Sequence, residues 1–267
     1  MRTVRCLCAA TLLAVFAFLT PAGATSFSTD QSDLYWNPSE SGHGVQLVQR
    51  GSKIFATTFV YDESTIPIWF TATLLNVGGL TWTGDLYVTS GPWFGTVPFD
   101  PMLVDRRIVG TMTWTSMTVD TGRLDYSVDG VGVSKDLTRQ FAGYDNFAGH
   151  YAGGIHWDTS GCLNPAYNGT SEQLGIYNVT QSGQAITLQY VPASGGSCSY
   201  PGVLTQAGQM GAVTGSYSCT DGTVGTFQIF EMQVNLSGLT GRFASSTSNP
   251  PGCQSTGWFG GYYSTTY

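Results

Sequence analysis

The residues best suited to chemistry in this chain crowd together near its start. The stretch Leu34–Leu47, LYWNPSESGHGVQL, holds Trp36, Glu40 and His43 within eight positions. A flat apolar ring, a carboxylate and an imidazole can together clamp a ligand, and Trp69 could join them at the mouth of a barrel. The same residues also read as a turn. Pro38 fixes its own φ and biases Asn37 toward extended backbone, and Ser39, Glu40, Ser41 and Gly42 are turn formers. Val45 and Leu47 then share a strand face with His43. A structured turn feeding a strand is the expected reading, with Glu40 accepting backbone N–H groups. Trp36, Glu40, His43 and Trp69 form the candidate ligand-binding set.

Polysaccharide hydrolysis is the alternative chemistry. Glycosidases need two carboxyl groups ~5 to ~9.5 Å apart. Glu40 precedes its strand, while Asp62 and Glu63 follow the next one, so antiparallel pairing brings both turns to one end. Surface carboxylates are commonly neighbours without any chemistry, however. No G-x-S-x-G elbow supports a serine nucleophile. His150 and His156 share one strand face, but six residues at ~3.3 Å each separate them by ~20 Å, too far for one ion with bonds of ~2 Å. The sequence assigns no catalytic residue, no metal ligand and no cofactor, and an enzyme is not the expected class.

What positions these residues is a β architecture. Gly, Thr, Ser and aromatics are abundant, and no long window repeats apolar residues at helical spacing. Short alternating runs separated by turn residues indicate an all-β meander. Strands are expected near 43–50, 53–62, 66–76, 80–89, 108–118, 123–130 and 132–140. Gly51-Ser52 is a two-residue hairpin signal, and Asp120-Thr121-Gly122 reads as a three-residue loop with Gly122 free to take positive φ. The segment 91–106 holds three prolines and is a long loop or lid. Eight more strands are expected near 149–157, 173–181, 185–192, 200–207, 211–219, 223–234, 239–245 and 256–264. An even-numbered meander can close into an up-and-down barrel. The fold class is therefore two consecutive antiparallel meander domains: 25–141, barrel-like, and 142–267, an eight-stranded barrel. The aromatics Phe55, Phe59, Tyr61, Trp69 and Tyr87 suit either a carbohydrate-binding face or a core, and core packing is the expected use.

The start of the chain carries a charged Met1–Arg5, an apolar run from Cys6 to Leu19 and the triplet Ala22-Gly23-Ala24. This is the pattern of a secretory signal peptide over 1–24. The run is shorter than the ~20 apolar residues of a spanning helix, and no later segment could supply one. An exported protein is expected: periplasmic, extracellular or at the cell surface. Removing 1–24 leaves eight of the ten basic residues against all 17 acidic ones, a net charge of −9. Such a chain suits no phosphate backbone, which argues against nucleic acid and leaves a glycan or a small apolar ligand as the expected partner.

Four cysteines follow the expected cleavage site: Cys162, Cys198, Cys219 and Cys253. Export makes disulfides the first reading. The segments around Cys198 and Cys219 mirror each other, with Cys198/Cys219, Tyr200/Tyr217 and Gly202/Gly215 symmetric about Gly208-Gln209. A two-residue type II′ turn there would place Cys198 opposite Cys219 on neighbouring strands. Cys162 then pairs with Cys253, fastening the first strand of the second barrel to its last. Trp157 and Trp258 stand five residues from those cysteines and are expected opposite each other.

Several separated motifs of the first half occur in a familiar order. They are Trp36-Asn-Pro-Ser-Glu-Ser-Gly-His-Gly44, Tyr61-Asp62, Pro67-Ile-Trp-Phe70 and Thr138-Arg-Gln140. Gly84-Asp-Leu-Tyr87 and Gly91-Pro-Trp-Phe94 fall between them. Over 33–141 the chain resembles a module of secreted proteobacterial proteins. The resemblance implies secretion and a repeated β architecture, and it lends no catalytic residue. At His43 that module often carries an aromatic, which counts against an essential histidine.

Overall fold

The structure is a computed structural model that describes residues 30–249 and 251–264. The expected signal peptide, 1–24, lies outside them. Two closed antiparallel barrels of eight strands follow each other along the chain.

The first barrel comprises β1 (Asp33–Trp36), β2 (Gly44–Arg50), β3 (Lys53–Tyr61), β4 (Pro67–Gly78), β5 (Thr81–Ser90), β6 (Asp105–Ser116), β7 (Thr121–Val128) and β8 (Val131–Arg139). Each strand pairs with the next, and β8 returns to β1 through Tyr35↔Arg139 and Trp36↔Thr138. The sequence predicts seven of these strands. The eighth, β1, has four residues, too few for an alternating pattern to register, yet it closes the barrel. Side chains of one parity point inward: Val45 and Leu47, Ile54 and Ala56, Phe70, Ala72 and Leu74 fill the centre around Tyr35, Trp82, Met112 and Trp114. Gly122 serves this packing rather than a turn. It lies within β7, and a Cβ there would stand 2.1 Å from the Trp114 indole. The hairpin at Gly51-Ser52 is as expected, with Arg50 opposite Lys53 and Gly51 at φ 58°.

The aromatics expected in this core are outside it. Phe55, Phe59, Tyr61 and Trp69 are 48–58 % exposed, because their parity on β3 and β4 is opposite to that of Ile54, Ala56 and Phe70. Tyr87 is also off the core, with the Arg106 guanidinium 4.8 Å above its ring. The proline-rich segment is a loop. A short 3-10 turn, Pro101–Leu103, capped by Asp100 shapes it, and Phe94, Val97 and Met102 stand out in solvent.

The second barrel comprises β9 (Gly149–Ser160), β10 (Gly169–Ser182), β11 (Ala185–Pro192), β12 (Cys198–Ala207), β13 (Met210–Cys219), β14 (Val224–Asn235), β15 (Gly238–Asn249) and β16 (Gln254–Tyr263). All eight match strands expected from the sequence. Ala207 pairs with Met210, so the β12–β13 turn is Gly208-Gln209, with Gly208 at φ 53°. Cys198 falls opposite Cys219. The disulfides are Cys198–Cys219 and Cys162–Cys253, each with Cα atoms 4.0 Å apart. The β9–β16 seam is one residue out from the expected register. Trp258 pairs with His156 and Trp157 with Gly257. One step along a strand reverses the face, so Trp258 lies outside, stacked on the His156 ring with centroids 4.0 Å apart.

The segment between the barrels plugs the second one. Phe147 is fully buried in its core, and the Tyr151 hydroxyl donates to the Phe147 carbonyl at 2.9 Å. The β12–β13 turn touches the first barrel, where the Gln209 N–H donates to Asp33 Oδ2 at 2.8 Å and the Gln209 amide side chain to the Ser32 carbonyl. Among the described residues no helix is long and apolar enough to cross a membrane.

Candidate functional site

The four residues singled out in the first barrel do not meet in one pocket. Trp36 and Trp69 face outward. On β1 Trp36 follows Tyr35, which pairs with Val45. Gly44 precedes Val45 on β2 and pairs with Phe59, which pairs with Trp69. Trp36, Gly44, Phe59 and Trp69 thus form a row over four strands, ~14 Å long at ~4.8 Å per strand. Glu40 and His43 sit instead at the barrel end. The turn holds itself, with the Glu40 N–H donating to the Asn37 carbonyl and the Ser39 N–H to the Asn37 side chain, both at 2.9 Å.

The Glu40 carboxylate accepts from the Lys135 ammonium at 2.5 Å rather than from backbone N–H groups. Lys135 shares the inward face of β8 with Leu137. That hydrogen bond holds the Glu40 carboxyl below the usual carboxylate range. His43 Nε2 lies 3.7 Å from the same carboxylate and has no hydrogen-bond partner among the described residues. Asp62 is occupied within its own turn, accepting the N–H groups of Ser64 and Ile66 at 2.8 and 2.9 Å. His150 and His156 bond to Asn178 and Glu172, at 2.6 and 2.8 Å.

The second barrel is built differently along its axis. Its base, beside the first barrel, is solid with Phe147, Leu204, Val213, Met232 and Leu239. Rings dominate the middle layer. Tyr177 stacks on Tyr190 with centroids 4.9 Å apart, and Tyr200 on Tyr217 at 5.2 Å. Inward glycines make room for them: a Cβ at Gly225 would stand 2.8 Å from the Tyr217 ring, and one at Gly175 2.6 Å from Tyr190. Above the rings the inward positions turn small and hydroxylic, with Thr159, Ser245, Thr247 and Ser255. Here the barrel opens into a cavity of about 780 Å³, rimmed by the loops at 194–197 and 220–223 and by Cys198, Cys219 and Cys253. An apolar void of about 40 Å³ between Tyr177, Leu188, Phe227 and Phe259 continues below it. Sequence reading paired the cysteines that border this mouth but missed the cavity. The available signal was the change along the inward positions of each strand, from aliphatic to aromatic to hydroxylic.

The cavity phenols are neutral. Burial pushes Tyr177, Tyr190, Tyr200 and Tyr217 above the ordinary tyrosine value. It does the same to Tyr35, Tyr126 and Tyr151. Phenols of the unfolded chain ionise near the ordinary value of 10.0, while these seven resist. Their contribution to stability is therefore complete below pH 10 and is lost as pH rises from there through the folded values. Ultraviolet titration should show them ionising only together with cooperative loss of near-ultraviolet dichroism. Smooth titration of all tyrosines with the dichroism intact would contradict this.

Tandem eight-stranded up-and-down barrels, one solid and one open at a disulfide-rimmed mouth, define the architectural class. No protein-family model and no curated protein sequence matches the chain.

Proposed function

We propose that this is an exported binding protein whose second barrel receives a small ligand through the disulfide-rimmed mouth. The observation that carries this reading is the half-filled interior of the second barrel. Aromatic walls below and hydroxyl groups above suit a ligand with an apolar body and a polar end. The first barrel has a closed core and serves as a structural partner. Two disulfides fit export, as does the resemblance of 33–141 to a secreted module. A hydrolase centred on Glu40 with Asp62 or Glu63 would need one protonated and one ionised carboxyl; the Lys135 contact suits Glu40 only to the ionised role, and Asp62 is held by backbone N–H groups of its own turn. The outward row of Trp36, Phe59 and Trp69 favours a second reading, a platform for a glycan chain.

Titration with the uncharged reporter N-phenyl-1-naphthylamine tests the first reading. One saturable site is expected, abolished by Ser245→Trp, which fills the mouth, with the melting temperature retained. Absence of saturable binding would end the cavity reading. Binding that survives Ser245→Trp but is lost in Trp69→Ala would move the site to the outer row.

A further inference from the structure

We propose that the mouth cavity of the second barrel selects a small organic cation of the ammonium class; this rests on the binding reading above. The first ground is charge. Among the described residues, Asp221, in the rim turn after Cys219, is the only carboxylate or basic group on the cavity wall; no described Lys, Arg or His lines it. From Ala142 onward the chain carries five carboxylates against one arginine. That arginine, Arg242, lies 3.4 Å from Glu231 in an ion pair and is not part of the mouth. An anionic ligand would leave water for a wall without a counter-charge, a costly transfer. A cation meets Asp221 and gains.

The second ground is the rings. Aromatic faces are electron-rich and attract cations within ~6 Å of the ring centre. Tyr200 and Tyr217 stack on each other beneath the Asp221 turn, and Phe227 meets Tyr200 edge-on with centroids 5.3 Å apart. Burial keeps both phenols neutral, and the Asp221 charge reinforces this, so the rings act as π surfaces and hydrogen-bonding groups, not as anions. The Asp221 carboxylate already accepts the Thr223 N–H at 2.8 Å, which fixes its position, and its exposure leaves it open to a ligand entering from solvent. Ser245 and Thr247 line the cavity; the Thr247 hydroxyl donates to the Cys253 carbonyl at 3.0 Å, which leaves its oxygen to accept from the polar tail of such a ligand.

Calorimetric titration of the full chain with choline, and with its uncharged carbon isostere 3,3-dimethylbutan-1-ol, separates charge from shape. Choline is expected to bind about tenfold or more tightly than the isostere, the scale of a cation–π contact in a partly desolvated site. Asp221→Asn should weaken choline several-fold and leave the isostere unchanged. Equal binding of the two, or tighter binding of the isostere, would overturn the cation assignment while leaving a ligand cavity in place. Binding of neither, with the naphthylamine reporter still bound at the mouth, would overturn it equally. Loss of the reporter as well would remove the cavity reading beneath it. Choline affinity unmoved by both Asp221→Asn and Tyr217→Leu would place the cation elsewhere on the protein and sink the proposal.

Discussion

Arg139→Met is expected to lower the stability of the first barrel by about 3–5 kcal/mol, the scale for breaking a buried ion pair from one side. The Arg139 side chain is fully buried and lies 3.0 Å from Asp33 Oδ2. Its nitrogens also donate to the carbonyls of Val119, Ser32 and Asp30, at 2.8, 3.0 and 2.5 Å. The guanidinium sits 5.1 Å over the Tyr35 ring. One side chain therefore ties β8 to β1, to the β6–β7 turn and to the segment before β1, at the seam where the barrel closes. Methionine fills a similar volume but takes the counter-charge from a mostly buried carboxylate and the guanidinium donors from the Val119 and Asp30 carbonyls, while Asp33 and the Ser32 carbonyl keep their bonds from Gln209. Hydrogen exchange followed by mass spectrometry should show protection of β1 and β8 falling by about two to four orders of magnitude, with β10–β15 unchanged. Adding Asp33→Asn should return part of the loss, because the two residues act as one unit. A change confined below about 1 kcal/mol would mean that water replaces the guanidinium and that closure rests on backbone pairing alone.

Arg139 also marks the boundary of what a sequence can show. Its place in Thr138-Arg139-Gln140 was visible as a motif, and Leu137, two residues earlier, gives it inward parity. The pattern could thus place a cation inside the barrel. It could not supply Asp33, which lies 106 residues away on a strand of four residues that carries no periodic signal. The same limit explains the misplaced aromatics. Phe55 and Phe59 alternate with Ile54, Ala56 and Thr58, so both faces of β3 are largely apolar and composition does not say which is inside. Where polarity does alternate, as in β10 to β16, strands and turns were legible to within a few residues. So was the Cys198–Cys219 register, because a local hairpin fixes it. The β9–β16 register was read one residue out. No short turn connects those strands, and the two tryptophans that suggested a match lie on opposite faces. The cavity was illegible for a related reason. Rings read equally well as filling or as lining, and only the girth of a closed eight-stranded barrel decides between them.

The second large effect belongs to that long-range seam. Replacing Cys162 and Cys253 by serine should destabilise the second barrel by roughly 4–5 kcal/mol in the chain-entropy view, and replacing Cys198 and Cys219 by roughly 3 kcal/mol. The difference follows from the separations closed, 91 residues against 21. Cys198–Cys219 reinforces a hairpin that the Gly208-Gln209 turn already specifies. Cys162–Cys253 joins β9 to β16, the only neighbouring strands in this barrel with the whole domain between them, and ten residue pairs depend on their meeting. It also anchors the mouth, since Cys253 and Ser255 line the cavity. The Cys162/Cys253 double-serine variant should therefore lose exchange protection first along β9 and β16 and bind the naphthylamine reporter more weakly even where it remains folded. The Cys198/Cys219 variant should show a smaller, more local loss around 194–223. Urea titrations of the two variants beside the parent decide the matter. If the short-range pair proves as costly as the long-range one, the seam is held by its backbone ladder and the cross-link does not set closure.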